Sequence, residues 1–371
     1  MMKRLAILFN IIAPYRIPIL VSLSQNFDTL VLHGGTEPNR TWTLELPLLL
    51  KTHKVFTVQI PIRKKAGLAG VSDTTYLHLN FGLVWWLLRF RPNIVLSNEM
   101  GLRTVLAAIY GKVARVPVWV WWGGTVHSER NISNSKRLLR FLLARQIKHW
   151  ISYGTTSTQY LESIGVARKR ILQIQNCVPQ ATYHDVSCQR HEWFKNYPRP
   201  VILSVGQLVQ RKGYDRLIEA CGRLASRGAQ FTLIIVGQGP EQHRLDELAK
   251  KCRIKHFEIL PNQAQCTLND IYRASDVFVF PTLEDVWGLV VNEAMWTGTP
   301  VLCSRYAGCA ADLLSESDIF DPLSAHSFDL ALAKIFDQSA HPPDRSKLKT
   351  CEEVSDMICR SLLSGTPIEN C

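Results

Sequence analysis

Short apolar runs alternate with stretches of helical spacing along this chain, and the alternation restricts the fold more than any other feature. The runs that read as strands before residue 180 are 5–9, 29–32, 55–60, 94–97, 118–122, 150–152 and 171–174. The stretches that read as helices between them include 103–112, 135–145 and 156–164. Such alternation predicts an α/β fold with parallel sheets.

The pattern restarts after a polar, irregular segment. Further strand-like runs lie at 201–205, 231–236, 257–260, 277–280 and 300–303. Because 371 residues are many for one domain, we predict domains at 1–180 and 200–345, with 181–199 as the linker. Residues 346–371 are predicted to hold a helix, for which packing on the first domain is one option. Two doubly wound, Rossmann-like domains facing across a cleft would bind ligands at the carboxyl ends of their strands.

Basic residues are concentrated in the first half of the chain. Residues 1–180 hold 23 Lys and Arg against 7 Asp and Glu, whereas residues 181–371 hold 20 against 24. A basic half indicates an anionic partner, such as a membrane lipid, a phosphorylated acceptor or nucleic acid. Nucleic acid is disfavoured, because the sequence has no helix-turn-helix, zinc-finger or RNA-recognition signature.

The sequence predicts a cytoplasmic protein with reduced thiols. The first apolar run is too short for a signal peptide, and no uninterrupted apolar run of about twenty residues predicts a membrane span. All ten cysteines lie at or after Cys177, and none forms a C-x-x-C pair. The chain also lacks an Asp-x-Asp motif, so we expect a site without a metal ion or other cofactor.

The segment 281–300 carries two acids eight positions apart, Asp285 and Glu293, on either side of a turn at Gly288. A strand-like run leads into the turn and a helix-like run follows it. The first N–H groups of such a helix can bind an anion, and the two acids can face the same ligand. The arrangement suits a molecule with hydroxyls on both sides of a phosphate, which is a nucleotide sugar. For an isolated pair of acids, an ordinary turn with a local salt bridge is the alternative.

A second candidate loop, 206–213, reads G-Q-L-V-Q-R-K-G and also lies between a strand and a helix. Arg211 can bind phosphate oxygens through two hydrogen bonds, and Lys212 adds a mobile charge. Gly206 lets the backbone come close to a ligand, and Gly213 permits an unusual backbone angle. The alternative is a hydrated basic surface loop.

The order of the motifs is more specific than any one of them. The chain shows G-x4-R-K-G, then V-G-x-G-P, then P-T-x-E-D-x-W-G-L-x-x-x-E-A-M-x-x-G-x-P-V. Over about residues 199–310, this order resembles the donor-binding domain of the retaining family 4 glycosyltransferases (the glycosyl transferases group 1 domain), which have the GT-B fold. That family normally has Glu at both positions of the acid pair, whereas here the first position is Asp285, with Glu284 beside it.

The resemblance implies a role for each matching residue. The donor-binding residues would be Gly206, Arg211, Lys212, Leu260, Asp285, Gly288, Leu289 and Glu293. Arg211 and Lys212 would bind the diphosphate of a nucleoside diphosphate sugar and stabilise its departure, and Glu293 would hold the ribose hydroxyls. Asp285 would hold the donor sugar, together with backbone N–H groups at the start of the helix, and Leu260 would lie near the base. Asp285, Arg211 and Lys212 would be catalytic.

The first half of the chain resembles the acceptor domain of the family more loosely. Tyr15 and Arg16 follow the first strand, where the family has a loop that faces the cleft. His127 matches a cleft histidine near the donor sugar and would be a further catalytic group, with a surface histidine as the alternative. Glu99 is a candidate acceptor contact, with an acid at a helix start as its alternative.

The resemblance implies transfer of a sugar to an acceptor hydroxyl with retention of anomeric configuration. No carboxylate stands out as a nucleophile, so attack on the front face is preferred. The acceptor would be a saccharide or a lipid-linked molecule of polysaccharide or glycolipid biosynthesis. Two alternatives stay open: a nucleotide-sugar epimerase of the GT-B fold, and a non-catalytic protein that binds an anionic surface.

The aromatic segment 81–91 reads F-G-L-V-W-W-L-L-R-F-R. It fits a buried helix of the first domain, and it also fits an amphipathic patch on a membrane, because Trp flanked by Arg suits an interface. The basic runs 63–65 and 168–170 could add contacts with anionic lipid. Peripheral contact with the inner face of a membrane is therefore an alternative to a protein free in the cytoplasm.

Overall fold

The computed structural model describes residues 2–35, 46–64, 73–184, 193–337 and 341–368. Contacts divide the chain into two compact units. Of the described residues, those within 2–64, 73–177 and 349–368 belong to unit 1, and those between 178 and 348 belong to unit 2. The described residues of unit 2 therefore all precede the final segment of unit 1.

Unit 1 is built on a parallel sheet. Its strands are β1 (Arg4–Phe9), β2 (Asp28–His33), β3 (Thr52–Lys54), β4 (Thr57–Lys64), β5 (Asp73–Asn80), β6 (Ile94–Asn98), β7 (Val118–Trp122), β8 (His149–Tyr153) and β9 (Ile171–Ile174). Seven of these strands form the sheet, in the order β3-β2-β1-β6-β7-β8-β9. Its first helices are α1 (Ile17–Asn26), α2 (Leu83–Phe90), α3 (Leu102–Ala114), α4 (Asn134–Gln146) and α5 (Gly154–Ser163). Every residue of β6 and β7 is buried, as expected for parallel strands covered on both faces.

The region around β4 differs from the sequence prediction. The predicted strand 55–60 lies mostly in β4, which pairs antiparallel with β5 outside the main sheet, and β3 takes the edge position next to β2. Within this hairpin, Val58, Ile60 and Leu77 are exposed while His78 is buried. The hairpin therefore turns apolar side chains outward, whereas strands usually bury their apolar face and expose their polar one. Strand β5 was not predicted because its sequence is largely polar.

Unit 2 repeats the architecture with a six-stranded parallel sheet in the order β12-β11-β10-β13-β14-β15. The strands are β10 (Val201–Val205), β11 (Thr232–Val236), β12 (Phe257–Leu260), β13 (Val277–Phe280), β14 (Val301–Ser304) and β15 (Ile319–Phe320). The helices are α6 (Ala181–His184), α7 (Tyr214–Ser226), α8 (Gln242–Lys251), α9 (Gln265–Ala274), α10 (Leu289–Thr297), α11 (Ala310–Leu313) and α12 (Ala325–Phe336). In the predicted linker 181–199, α6 occupies the start, and residues 185–192 lie outside the described residues.

The last helix, α13 (Cys351–Ser364), belongs to unit 1 and packs against α1. A capping box fixes its start, in which Thr350 and Glu353 each accept the other's backbone N–H. Near its end, the carbonyl oxygen of Leu363 accepts a hydrogen bond from Lys3 Nζ at 3.1 Å. The tail is therefore tied to the first strand of unit 1.

Both sheets reverse their strand order beside their first strand. In unit 1 the reversal lies between β1 and β6, and in unit 2 it lies between β10 and β13. Loops at the carboxyl ends of strands diverge at such a point and leave a crevice, where open α/β sheets bind their ligands. The two crevices are the places to look for a site.

Candidate functional site

The predicted donor residues of unit 2, apart from Leu260 at the end of β12, lie on the elements that border the crevice between β10 and β13, called here the donor crevice. Gly206 follows β10, and the 3-10 turn Gln210–Lys212 holds the two predicted cations before α7 begins. The loop 281–288 follows β13 and leads into α10. The donor crevice is therefore bordered by both of the motifs that the sequence singled out.

The two loops are fastened together through the backbone of Arg211. Its carbonyl oxygen accepts hydrogen bonds from Leu283 N–H at 2.8 Å and from Thr282 Oγ1 at 3.1 Å. The two loops also touch at Gly213, where φ is 68°. A Cβ on this residue would lie 2.2 Å from the carbonyl oxygen of Pro281. Only glycine fits this conformation and this spacing, so the position of the cations depends on it.

Lys212 and Asp285 form the central contact of the donor crevice. Lys212 Nζ lies 2.5 Å from Asp285 Oδ2, and only 12% and 14% of the two side chains are exposed. Asp285 Oδ1 accepts the backbone N–H of Trp287 at 3.3 Å. Burial alone would raise the pKa of Asp285, but the charges of Lys212 and Arg211 hold it below its usual value. Burial lowers the pKa of Lys212, and Asp285 offsets part of that fall. Each group therefore compensates the buried charge of the other.

The neighbouring acid, Glu284, takes part through its backbone. Its carbonyl oxygen accepts a hydrogen bond from Arg211 Nη1 at 3.4 Å. Asp285 is held by its own N–H, which donates to the carbonyl oxygen of Tyr306 at 3.3 Å. The Asp285 carboxylate is thus the one that bonds Lys212, with Arg211 beside it.

The helix that starts beside this ion pair adds N–H donors. Gly288 precedes α10 with a φ of 101°, and a Cβ there would lie 2.7 Å from Phe280 Cε1. Val291 N–H donates back to the Gly288 carbonyl oxygen at 2.9 Å, whereas the N–H groups of the preceding turn, including that of Leu289, have no acceptor within a helix. The start of α10 therefore offers donors and a partial positive charge.

Glu293 lies one turn into α10, in a half-buried position. The hydroxyl of Tyr272, on α9, donates a hydrogen bond to Glu293 Oε2 at 3.1 Å. Burial raises the pKa of Glu293 to about 7, and hydrogen bonds from Tyr272 and Tyr183 offset only part of the rise. Glu293 therefore changes charge near neutral pH, unlike an exposed glutamate.

The strands on the other side of β10 complete this edge of the sheet. Gly206 N–H donates to the carbonyl oxygen of Val236 at 2.9 Å, and Gly237 N–H donates to that of Leu260, also at 2.9 Å. These bonds link the ends of β10, β11 and β12. Leu260 therefore lies on the same edge as Gly206, two strands away.

The residues predicted in the first domain lie in unit 1. Tyr15 and Arg16 belong to a 3-10 turn after β1, and Glu99 follows β6 directly with a φ of 66°. His127 is half-buried in the loop after β7, where its backbone N–H donates to Thr125 Oγ1 at 3.2 Å. These four residues therefore follow the carboxyl ends of three neighbouring strands, β1, β6 and β7.

Two side chains that organise these edges were not predicted. Tyr272 orients Glu293, and Arg103, at the start of α3, donates hydrogen bonds to Asn10 Oδ1 and to the carbonyl oxygen of Asn98. The contacts of Tyr272 with Glu293 and of Arg103 with Asn10 join residues 21 and 93 positions apart. Spacing along the chain carries no signal for contacts of that kind.

The described part of the chain has neither a cluster of metal ligands nor a helix that could span a membrane. Its His, Cys, Asp and Glu side chains form no group of three or more that could hold a metal ion. Its helices are all too short or too polar to cross a membrane. Its cysteines are free, and most of them are buried.

Known proteins resemble this chain most in the region of the donor crevice. Residues 187–350 match the family model described as Glycosyl transferases group 1. The D-inositol 3-phosphate glycosyltransferase of Nocardia farcinica (strain IFM 10152) is 31% identical over 267 residues, which cover 68% of this chain and 56% of that protein. The lipopolysaccharide glucosyltransferase WaaG of Escherichia coli (strain K12) is 30% identical over 145 residues, 38% of each chain. The chain therefore spans less than two thirds of the length of these curated relatives.

Solved structures extend the likeness to nearly the whole chain. The structure of Anabaena Alr3699/HepE in complex with UDP superposes with a TM-score of 0.74 over 98% of this chain and 100% of that one, at 16% identity. WaaG gives a TM-score of 0.67 over 97% and 100%, at 14% identity. At such identities the likeness establishes the fold, and it confirms the predicted class: α/β, with two Rossmann-like halves of the GT-B type. The chain is a member of the glycosyl transferases group 1 family, and the matching region lies mainly in unit 2.

Proposed function

We propose that this protein moves a sugar from a nucleoside diphosphate sugar to an acceptor hydroxyl, with retention of anomeric configuration and without a metal ion or other cofactor. The observation that carries the proposal is the contact of Lys212 with Asp285 beside the start of α10. Arg211 lies beside this contact, and Glu293 lies one turn into α10. The donor crevice thus offers cations and N–H groups for phosphates, with carboxylates on either side for hydroxyls.

The chemical step requires stabilisation of the negative charge that grows on the departing diphosphate. Arg211 can bind two phosphate oxygens with its planar guanidinium, while Lys212 and the first N–H groups of α10 add positive potential. Donors fixed in advance stabilise such a charge without reorganising during the reaction. When the diphosphate takes over Lys212, the carboxylate of Asp285 becomes available to the hydroxyls of the donor sugar.

The rest of the donor is assigned by the same reasoning. Glu293, oriented by Tyr272, would accept the ribose hydroxyls, and Gly206 and Leu260 would lie along the nucleoside. His127 would act near the donor sugar. Front-face attack by the acceptor is the route to retention, and NMR of the product anomer tests it, because an inverted product would exclude this route.

The acceptor would be a saccharide or a lipid-linked molecule of polysaccharide or glycolipid biosynthesis in the cytoplasm. Two relatives support this class by name: WaaG, and a putative colanic acid biosynthesis glycosyltransferase of Escherichia coli (strain K12), WcaL, which is 32% identical over 130 residues. Tyr15, Arg16 and Glu99 are the proposed acceptor contacts. Peripheral contact with an anionic membrane would bring a lipid-linked acceptor to the enzyme, and the exposed Trp85 and Leu88 of α2 support it.

Two other functions make different predictions. A nucleotide-sugar epimerase would convert the donor when no acceptor is present, whereas a transferase needs the acceptor to form product. A non-catalytic protein that binds an anionic surface would bind it equally well after loss of the donor crevice. The Lys212–Asp285 contact beside a helix start favours an enzyme that uses a nucleotide sugar over the non-catalytic protein, and the need for an acceptor distinguishes transfer from epimerisation.

A thermal-shift screen tests the donor assignment. The purified protein would be heated with each common nucleoside diphosphate and with its sugar conjugates, and one base is expected to raise the melting temperature selectively. Arg211→Gln should abolish the shift, and Lys169→Gln, which removes one exposed positive charge from unit 1, should leave it intact. A protein that responds to no nucleotide, or an Arg211→Gln variant with the full shift, would count against the proposal.

A further inference from the structure

Two buried cysteines of unit 1 lie where the described chain leaves this unit and returns to it. Cys177 is the last residue of unit 1 before the described part of unit 2 begins, and Cys351 closely follows the return at Lys349. Cys177 is fully buried, and Cys351 is 8% exposed. Both lie outside the donor crevice, which belongs to unit 2.

The segments that carry these two cysteines pack directly against each other. Helix α13, which begins at Cys351, contacts β9, the strand just before Cys177. Between the segments, Lys349 N–H donates a hydrogen bond to Gln175 Oε1 at 2.9 Å. The Cys177 thiol donates a hydrogen bond to the sulfur of Cys351. The fold therefore brings together two thiols that are far apart in the sequence.

The hydrogen bond makes the two thiols chemically unequal. It raises the pKa of Cys177, and burial adds to the rise. It lowers the pKa of Cys351, against the opposing effects of burial and of Glu352. Because a thiolate rather than a thiol attacks a disulfide, Cys351 is the nucleophile of the pair. Cys177 is then the thiol placed to react with the product of that attack.

Other described cysteines lack this combination. Cys303 and Cys309 also share a hydrogen bond, but both are fully buried, and burial raises the pKa of Cys309. Cys266 is exposed, and its sulfur lies 3.9 Å from the hydroxyl of Thr267. Among the described cysteines, the pair of Cys177 and Cys351 therefore joins a lowered thiol pKa to a neighbouring thiol.

We propose that Cys177 and Cys351 form a reversible disulfide when the protein meets a small-molecule disulfide such as oxidised glutathione. The Cys351 thiolate attacks one sulfur of the small disulfide, forms a mixed disulfide and releases one small thiolate, which takes up a proton. The Cys177 thiol then loses its proton and attacks the Cys351 sulfur, and the second small thiol departs. Two protein thiols are thus oxidised while one small disulfide is reduced to two thiols.

The crosslink ties the start of α13 to the end of β9. A disulfide joins sulfurs about 2.0 Å apart, so two side chains already in contact need only a short approach. The bond closes a loop that contains every described residue of unit 2, and a disulfide stabilises a protein more when that loop is longer. Reduction leaves α13 held by noncovalent contacts alone. The inference is independent of the proposed transfer reaction.

Oxidised glutathione tests the pair on the purified protein, which is then digested with trypsin without reduction and analysed by mass spectrometry. Cys177 falls on peptide 171–190 and Cys351 on peptide 350–360. Each peptide carries a second cysteine, so fragmentation assigns the linked positions. We expect a crosslink between Cys177 and Cys351, and glutathione on the exposed Cys266. Wild-type protein that carries glutathione on Cys266 but lacks this crosslink overturns the inference.

Variants establish the order of the two steps. Cys177→Ser should retain glutathione on Cys351, because no second thiol displaces it, whereas Cys351→Ser should leave Cys177 unmodified. Cys359→Ser, which changes the second cysteine on the peptide of Cys351, is the control and should form the crosslink in full. Oxidised wild-type protein should melt at a higher temperature than reduced protein, and dithiothreitol should reverse the shift. A Cys351→Ser variant with the same shift would contradict the proposed crosslink.

Discussion

The carboxylate of Glu293 has a pKa of about 7, so its charge depends on small changes of pH. In an unfolded chain the pKa of Glu is about 4.3. The folded state therefore binds the proton more tightly, and the stability contributed by this group is present below pH 4 and is lost as the pH rises to 7. The shift corresponds to roughly 3.5 kcal/mol. We expect Glu293→Gln to lose less stability than the wild-type protein between pH 4 and pH 8, measured by urea unfolding.

The raised pKa of Glu293 also predicts how the affinity for the donor nucleotide changes with pH. A carboxylate accepts two ribose hydroxyls better than a carboxylic acid does, so nucleoside diphosphate affinity should rise as the pH increases from 6 to 8. The dependence should be weaker in Glu293→Gln, where only the terminal phosphate of the nucleotide still titrates in this range. Calorimetry in buffers of equal ionic strength measures it, and a wild-type affinity that is flat over this range would contradict the proposed ribose contact.

The pair of Lys212 and Asp285 should behave as a coupled unit. Removing one partner leaves a buried charge without compensation, which costs about 3–5 kcal/mol, whereas removing both leaves none. We expect Lys212→Met and Asp285→Asn each to destabilise the protein more than the double variant does, measured by urea unfolding at pH 7. The exposed pair Lys250 and Glu247 is the control, where solvent screening should make the effects of the two substitutions nearly additive. Additive effects at Lys212 and Asp285 would argue against the ion pair.

The loops of the donor crevice depend on one glycine between the 3-10 turn and α7. In Gly213→Ala the new Cβ would collide with the Pro281 carbonyl oxygen, so the two loops must separate. We expect a loss of more than about 2 kcal/mol in stability, together with weaker nucleotide binding. The matched control is Gly228→Ala, where φ is 86° and no atom lies within 4 Å of the Cβ, so only backbone strain remains, about 1 kcal/mol. Calorimetric melting and titration of both variants measure the difference.

Helix α2, which lies in segment 81–91, is buried on one side and exposed on the other. Leu83 and Leu87 are buried in unit 1, whereas Trp85 and Leu88 are 56% and 59% exposed, and the Arg89 guanidinium lies 5.8 Å from the Trp85 ring. The exposed residues of the β4–β5 hairpin precede this helix. The predicted lipid contact of the basic run 63–65 stays a prediction, since Lys65 and the side chains of its neighbours lie outside the described residues.

Sedimentation with vesicles tests the proposed membrane contact of α2. A Trp85→Glu, Leu88→Glu variant should bind vesicles of anionic lipid at least about tenfold more weakly than the wild-type protein, because both the apolar and the electrostatic contributions fall. Leu330→Glu is the control, since Leu330 is 57% exposed in unit 2. Equal binding of all three proteins would remove α2 from the membrane proposal.

Across the whole molecule, much of the architecture was accessible from sequence. Buried parallel strands such as β7 are continuous apolar runs, and the motifs around Arg211 and Asp285 predicted two loops that lie together at the ends of β10 and β13. The β4–β5 hairpin was not predictable, because its outward-facing residues are apolar and its buried ones polar. The contacts of Tyr272 and Arg103 were also missed, since they depend on which helices pack beside which strands. Patterns along the chain predict elements, whereas contacts between distant elements emerge only from packing.

The position of α13 has a consequence for how the protein is made. The described residues of unit 2 are all synthesised between residues 178 and 348, while unit 1 still lacks the helix that packs against α1. Unit 1 emerges first but cannot complete its packing until α13 has been synthesised. Until then, the surface of α1 that α13 contacts stays uncovered, while nearly two hundred further residues are made. Synthesis from the amino to the carboxyl terminus thus favours unit 2 as the first unit to reach its native packing. A truncation near residue 349 would remove α13 and so destabilise unit 1.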